Sequence, residues 1–166
     1  MTLSDFISSF PSNPLDIVEL VAVSENWSFD RTDEHALDLE MAGTWGEYAV
    51  SVHWREELDA LHVAAELNLK IPQEKRPSMV ELLALINEQM FLGHFDLWTD
   101  ENVLLYRYGL LLGGDAQISA TQVEKLFNIA SAACDRFFPA FQCAVTADKT
   151  PREALSAALF DTQGQA

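Results

Sequence analysis

The chain has 166 residues, 49% of them hydrophobic, and 26 acidic against 10 basic side chains give a net charge of −16. That length and apolar content suit a single domain with a real core and exclude a disordered chain. So acidic a surface repels nucleic acid phosphates and anionic lipid and favours basic partners, although many bacterial cytosolic proteins are simply acidic.

No apolar run approaches the ~20 residues needed to cross a bilayer. Met1 to Phe10 has no basic start and carries Asp5, unlike a secretory signal. The expected location is the cytoplasm. Leu3, Phe6, Ile7 and Phe10 follow helical spacing. Residues 1–13 therefore read either as an amphipathic turn docked on the body or as a loose arm. Pro11 ends the turn. Asn13-Pro14 reads as an N-cap followed by the first helical position, opening a helix to about Glu25 with Asp16 in its first turn. Trp27 to Glu34 reads as a short lead-in strand with a turn at Asp33-Glu34.

From Ala36 to Leu69 apolar and polar residues alternate. Leu37, Leu39 and Met41 are followed by Tyr48, Val50, Val52 and Trp54, then by Leu61, Val63, Ala65, Leu67 and Leu69. A period of two marks strands with one buried face. The breaks at Gly43-Thr44-Trp45-Gly46 and at Glu57-Leu58 make a three-strand antiparallel meander.

Pro72 and Pro77 bracket a polar connection, and Ser78 with Glu81 predicts a capping box. The helix stripe is Met79, Leu82, Leu83, Ile86 and Met90, and Gly93 is the expected stop. Phe95 and Leu97 turn through Thr99–Asn102 into Leu104, Tyr106, Tyr108 and Leu110, a later hairpin. Gly113-Gly114-Asp115 is a break. Ser119 with Gln122 caps a long helix carrying Val123, Leu126, Phe127, Ala130, Cys134 and Phe138, which Pro139 must kink or end. Thr150 to Glu153 caps a terminal helix, and residues 161–166 are expected to fray. Sequential hairpins with interspersed helices predict a single α+β domain over residues 1–166, with helices mainly on one face of an antiparallel sheet.

Cys134 and Cys143 lie nine apart in one helical stretch, about 13 Å if straight, beyond disulfide reach of about 7 Å. Pro139 between them leaves a bent path open. Both read as reduced core residues.

The alternation also specifies the face opposite the core. Ala36, His53 and His62 should form one cross-strand row, followed by Asp38, Ser51 and Ala64, then Glu40, Ala49 and Glu66. The later hairpin adds His94, Asp96, Trp98, Val103, Leu105 and Arg107. A face mixing Trp98, Val103 and Leu105 with small residues reads as a contact surface for a second copy or a client segment. The alternative is a sheet sandwiched between the chain's own helices. His53, His62 and Arg107 complete the expected interface.

Two imidazoles with Glu66 or Asp38 suit zinc or iron by chemistry, but no spaced metal motif such as HExxH is present, and no metal or cofactor is expected. The carboxylates of Glu56-Glu57-Asp59 and Asp30-Asp33-Glu34 fall in turns, where charge is solvated. There is no GxSxG, P-loop or GxGxxG. Arg107 on a strand suits a carboxylate clamp, while Asp96 across the hairpin is an equally good structural partner. No catalytic residue is assigned.

Several segments in order resemble the YbjN family of bacterial sensory-transduction regulators. They are Gly43-Thr44-Trp45-Gly46, Ile71-Pro72 to Arg76, Ala84-Leu85-Ile86-Asn87, Gly93-His94-Phe95-Asp96, Tyr106-Arg107-Tyr108-Gly109, and Arg136 to Gln142. The resemblance implies a fold like the type III secretion chaperones, often dimeric, and brings no catalytic residues. Together these readings predict a non-enzymatic binding protein, a homodimer, that engages a protein segment as a regulator or chaperone-like factor. The alternative is a small-molecule sensor using Arg107, His94 and Asp96. A hydrolase or metalloenzyme would need His53 and His62 in one coordination sphere.

Overall fold

The computed structural model describes residues 13–113 and 117–163. The N-terminal segment up to Ser12, residues 114–116 and the tail from Gly164 lie outside them. The described elements run α1 (Pro14–Ser24), β1 (Phe29–Arg31), β2 (Ala36–Gly43), β3 (Gly46–Arg55), β4 (Ala60–Lys70), α2 (Arg76–Asn87), β5 (His94–Trp98), β6 (Val103–Leu111), α3 (Ala120–Thr146) and α4 (Pro151–Gln163). The strands form one antiparallel sheet in the order β1-β2-β3-β4-β6-β5. The meander and the later hairpin join because β6, not β5, lies beside β4. The expected α+β architecture and cross-strand rows are the observed ones: Ala36 faces His53 and His53 faces His62, with Asp38, Ser51 and Ala64 in the next row.

One continuous core explains the layering. Leu37, Leu39, Val50, Val52, Val63, Leu67, Leu104 and Tyr106 share a sheet face and bury against residues from all four described helices. Alternation puts every second residue on that side, so hydrophobic burial fixes register: a slip of one position would turn the whole apolar set to water.

Local chemistry sets the helix ends. The Asn13 side chain accepts from the Leu15 amide at 2.9 Å, capping α1. Arg31 of β1 then ties α1 down, pairing with Asp16 at 2.7 Å and Glu19 at 2.9 Å. The Ser119/Gln122 capping box opens α3 as expected. In the box at α4, the Thr150 amide donates to Glu153 at 2.9 Å and the Glu153 amide to the Thr150 hydroxyl at 3.3 Å.

Two expectations about α2 are corrected. A 3₁₀ turn over Gln73–Lys75 runs directly into the helix, so α2 begins at Arg76 and Ser78 is its third residue rather than its cap. The Ser78 hydroxyl instead donates to the Lys75 carbonyl at 2.9 Å. Nor does Gly93 stop this helix. The helix ends at Asn87, six residues earlier, and the Asn87 side-chain amide donates to the Phe95 carbonyl at 3.0 Å and accepts from the Phe95 amide at 2.8 Å, binding the helix end to β5. Gly93 serves the following loop: its φ is +70°, and a Cβ there would strike the Tyr106 hydroxyl, which donates to the Leu92 carbonyl at 3.1 Å.

Helix α3 passes through Pro139 to Thr146. Proline has no N–H, so the carbonyl four residues back, that of Asp135, loses its helical donor. The indole N–H of Trp45, at the tip of the β2–β3 hairpin, donates to that carbonyl at 2.9 Å, and the Trp45 ring stacks on Phe138 at 6.2 Å. The Asp135 carboxylate completes the junction. It accepts from the Thr44 amide at 2.8 Å, the Thr44 hydroxyl at 2.9 Å and the Tyr48 hydroxyl at 2.7 Å. The hairpin tip and the proline turn thus interlock, although 90 residues separate Trp45 from Asp135.

Candidate functional site: the outer sheet face

The sheet face away from the core is built by Ala36, Asp38 and Glu40 of β2, Ala49, Ser51 and His53 of β3, and His62, Ala64 and Glu66 of β4. Leu105, Arg107 and Gly109 of β6 and His94 and Asp96 of β5 complete it. None of these belongs to the core cluster. All four histidines of the chain gather at one end. His53 pairs with His62 across β3–β4, His94 pairs with Arg107 across β5–β6, and His35 enters β2 beside them, its carbonyl accepting from the Trp54 amide at 2.8 Å.

Arg107 links the row. Its Nε donates to His62 Nε2 at 3.3 Å and its Nη1 to Asp96 Oδ2 at 2.9 Å. A nitrogen that accepts this bond carries no proton, so the geometry favours neutral His62. Burial pushes its pKa down, and the charges of Arg107, His53 and His94 push in the same direction. The sign follows directly. The unfolded chain binds a proton near pH 6.5 that the folded site resists, so this group's contribution is present above that pH and is lost as pH falls below it. Asp96, the structural partner, occupies Arg107, so a carboxylate ligand would have to displace it.

A trough of about 800 Å³ lies at the histidine end, bordered by His35, His53, His62 and Arg107 on its polar side. Leu58 and Leu111 form its apolar side, 54% and 77% exposed. Trp54 packs half-buried against the core, as its place in the alternation predicts, and also lines the trough. At the other end of the face Trp98 is 47% exposed beside Val103. Val103 and Leu105 do point to the outer side, but they are only 6% and 5% exposed. The surface leucines are therefore Leu58 and Leu111. Both had a signal in the sequence: Leu111 continues the alternation 103, 105, 107, 109, and Leu58 is an apolar residue in an otherwise charged turn.

Among the described residues no group of three or more His, Cys, Asp or Glu is placed to hold a metal ion. Cys134 and Cys143 are free thiols on α3, and burial pushes the Cys134 thiol up to about 12, leaving it without nucleophilic character. No described helix is long and apolar enough to cross a membrane.

The profile of the YbjN family, described as "Putative bacterial sensory transduction regulator", matches residues 14–142. The chain belongs to the YbjN family. Its fold is similar to the crystal structure of YbjN, a "putative transcription regulator" from E. coli, with a TM-score of 0.50 at 12% identity over 91% of this chain and 92% of that one. At that identity the likeness concerns the fold alone. No curated protein matches the chain. Two of the segments that carry the YbjN resemblance, Gly43 to Gly46 and Arg136 to Gln142, are the two halves of the junction built on Asp135 and Pro139. Two more, Gly93 to Asp96 and Tyr106 to Gly109, meet at Arg107 and at the Gly93–Tyr106 contact.

Proposed function

We propose that this YbjN-family chain is a non-enzymatic regulatory binding protein of the cytoplasm whose outer sheet face receives a segment of a protein partner. The observation that supports it is the asymmetry of the sheet. The described helices bury one face, while the other carries a trough flanked by two exposed leucines at the histidine end. Apolar side chains beside fixed polar groups suit a peptide whose apolar residues enter the trough and whose polar backbone or termini meet the histidine row. A likeness to the type III secretion chaperones, which the family resemblance implies, would by itself carry no chaperone activity. In this reading a homodimer forms through the Trp98 end, several residues along β5 from the trough.

The test is affinity capture of a partner from the native cell, followed by anisotropy with the purified partner segment. Leu58→Glu with Leu111→Glu should weaken binding at least tenfold, the equivalent of losing about 1.4 kcal/mol of apolar contact. Unchanged affinity would remove the trough from the account.

A second reading, a small-molecule sensor, draws on the convergence of Arg107, His62, His94 and Asp96 beside a trough within the size range of ligand sites. A metabolite that raises the melting temperature of the native chain, and not of Arg107→Ala, would favour it.

A further inference from the structure

We propose that the trough takes the free C-terminal carboxylate of a partner chain whose last residues are apolar, and that protonation of the histidines around it tightens this grip as pH falls below neutrality. It rests on the proposed function, that the outer face receives a protein segment, and specifies which end of the segment enters. Strand β6 supplies the floor. Arg107, Gly109 and Leu111 are successive outward positions of that strand, each about 7 Å from the next. Gly109 is exposed, and a Cβ built on it meets nothing within 4 Å. A gap thus opens beside His62, which faces Gly109 across β4–β6, with the Arg107 guanidinium on one side and the exposed Leu111 on the other. A C-terminal residue carries an apolar side chain and a carboxylate on one Cα, so a single residue seated over Gly109 reaches both. An internal Asp or Glu has its charge at the tip of the side chain and offers no apolar group to Leu111.

The histidines set the charge of the trough. The fixed ions around them are already matched: Arg107 holds Asp96 at 2.9 Å, and Arg55 holds Glu57 at 3.3 Å. His53 and His62 sit side by side, His35 borders the trough with them, and His94 faces Arg107 from β5. Glu56 and Asp59 lie in the turn between β3 and β4, and Asp38 and Glu66 lie one and two rows along the face. These carboxylates favour charged imidazoles. Against them, burial and the charges of Arg107, His53 and His94 resist a proton on His62. A carboxylate over Gly109 reverses that balance. A proton on His62 Nε2 ends its acceptance of the Arg107 Nε bond and leaves two cations in contact, and an anion beside them offsets the repulsion. Binding therefore takes up protons, and by linkage the affinity rises as pH falls. The net charge of −16 is spread over the whole chain. Its field decays over about 8 Å in physiological salt, so the groups in the trough dominate at the carboxylate.

The probe is N-acetyl-leucyl-leucine with a free carboxylate, and its C-terminal amide is the control. Both are titrated into the full chain and followed by ¹⁵N NMR. The free acid should shift the amides of Gly109, Leu111 and His62 and bind at least about tenfold more tightly at pH 5.5 than at pH 8. Calorimetry in buffers of different ionisation enthalpy should record proton uptake. The amide should bind weakly and equally at both pH values. Gly109→Val fills the gap at a strand position where the added side chain meets no clash, and unchanged far-UV dichroism verifies the fold. Binding of the acid to that variant should be lost. With His53→Gln and His62→Gln together, the acid should bind no more tightly at pH 5.5 than at pH 8. Equal affinity of the native chain at the two pH values, an amide that follows the acid, or a Gly109→Val protein that still binds would overturn the assignment. So would octanoate binding as tightly as the peptide, because a free carboxylic acid would then be the fitting ligand. If a captured partner uses the face while acid and amide peptides behave alike, the C-terminal assignment fails and the proposed function stands. If the acid binds as expected and no partner is captured, the proposed function fails and the carboxylate site stands.

Discussion

Asp135→Ala should be among the most damaging single changes outside the core. Its carboxylate holds the Tyr48 hydroxyl at 2.7 Å, and Tyr48 is 1% exposed. Truncation leaves that hydroxyl buried without an acceptor, which costs about 1–3 kcal/mol. The two Thr44 donors are exposed and can turn to water, so each adds only about 0.5 kcal/mol. The expected loss is about 2–4 kcal/mol, or roughly 5–12 °C in melting temperature for a chain of this size. Urea denaturation followed by circular dichroism measures it. Tyr48→Phe removes the orphaned hydroxyl in advance, so adding Asp135→Ala to that variant should cost at least about 1 kcal/mol less than it does in the wild type. A loss below about 1 kcal/mol, or costs that simply add, would refute the reasoning about the buried hydroxyl.

Trp45→Phe should cost about 1 kcal/mol by removing the donor to the Asp135 carbonyl, and less in a Pro139→Ala background, where the new backbone N–H can take its place. Thermal denaturation of the four proteins checks this, and equal costs in both backgrounds would count against it. Stability should also fall in alkali. Burial holds the Cys134 thiol and the Tyr106 hydroxyl up at about 12, and raises Tyr48 with help from Asp135. The unfolded chain releases the thiol proton near pH 9 while the folded chain keeps it, so stability is intact below that pH and declines as pH climbs toward 12. A urea midpoint unchanged between pH 8 and pH 10.5 would contradict the assignment, as would rapid reaction of Cys134 with a thiol reagent in the native state.

Period-two alternation carried the meander, its register and the histidine row, because side-chain direction in a strand follows from position alone. Capping chemistry likewise located the starts of α1, α3 and α4. The start of α2 escaped because its helical geometry is inherited from the preceding 3₁₀ turn, which has no strong residue signature. Pro139 was legible as a disturbance but not its remedy: the donor that satisfies Asp135 comes from Trp45, and a partner so distant in the chain leaves no periodic trace. The outer face was legible in direction and not in exposure. Alternation says that Val103 and Leu105 point outward, whereas solvent access depends on what surrounds them, and the exposed leucines proved to be one strand end and one turn away.

The most direct measurement places a photo-crosslinking amino acid at Leu111 on the outer face and, in a second protein, at Val80 on the exposed side of α2, both in the native cell. Val80 is 57% exposed, so the two probes have comparable access to solvent. The account predicts a discrete protein adduct from Leu111 and none from Val80. Adducts from Val80 alone would place the partner on the helical side and contradict it.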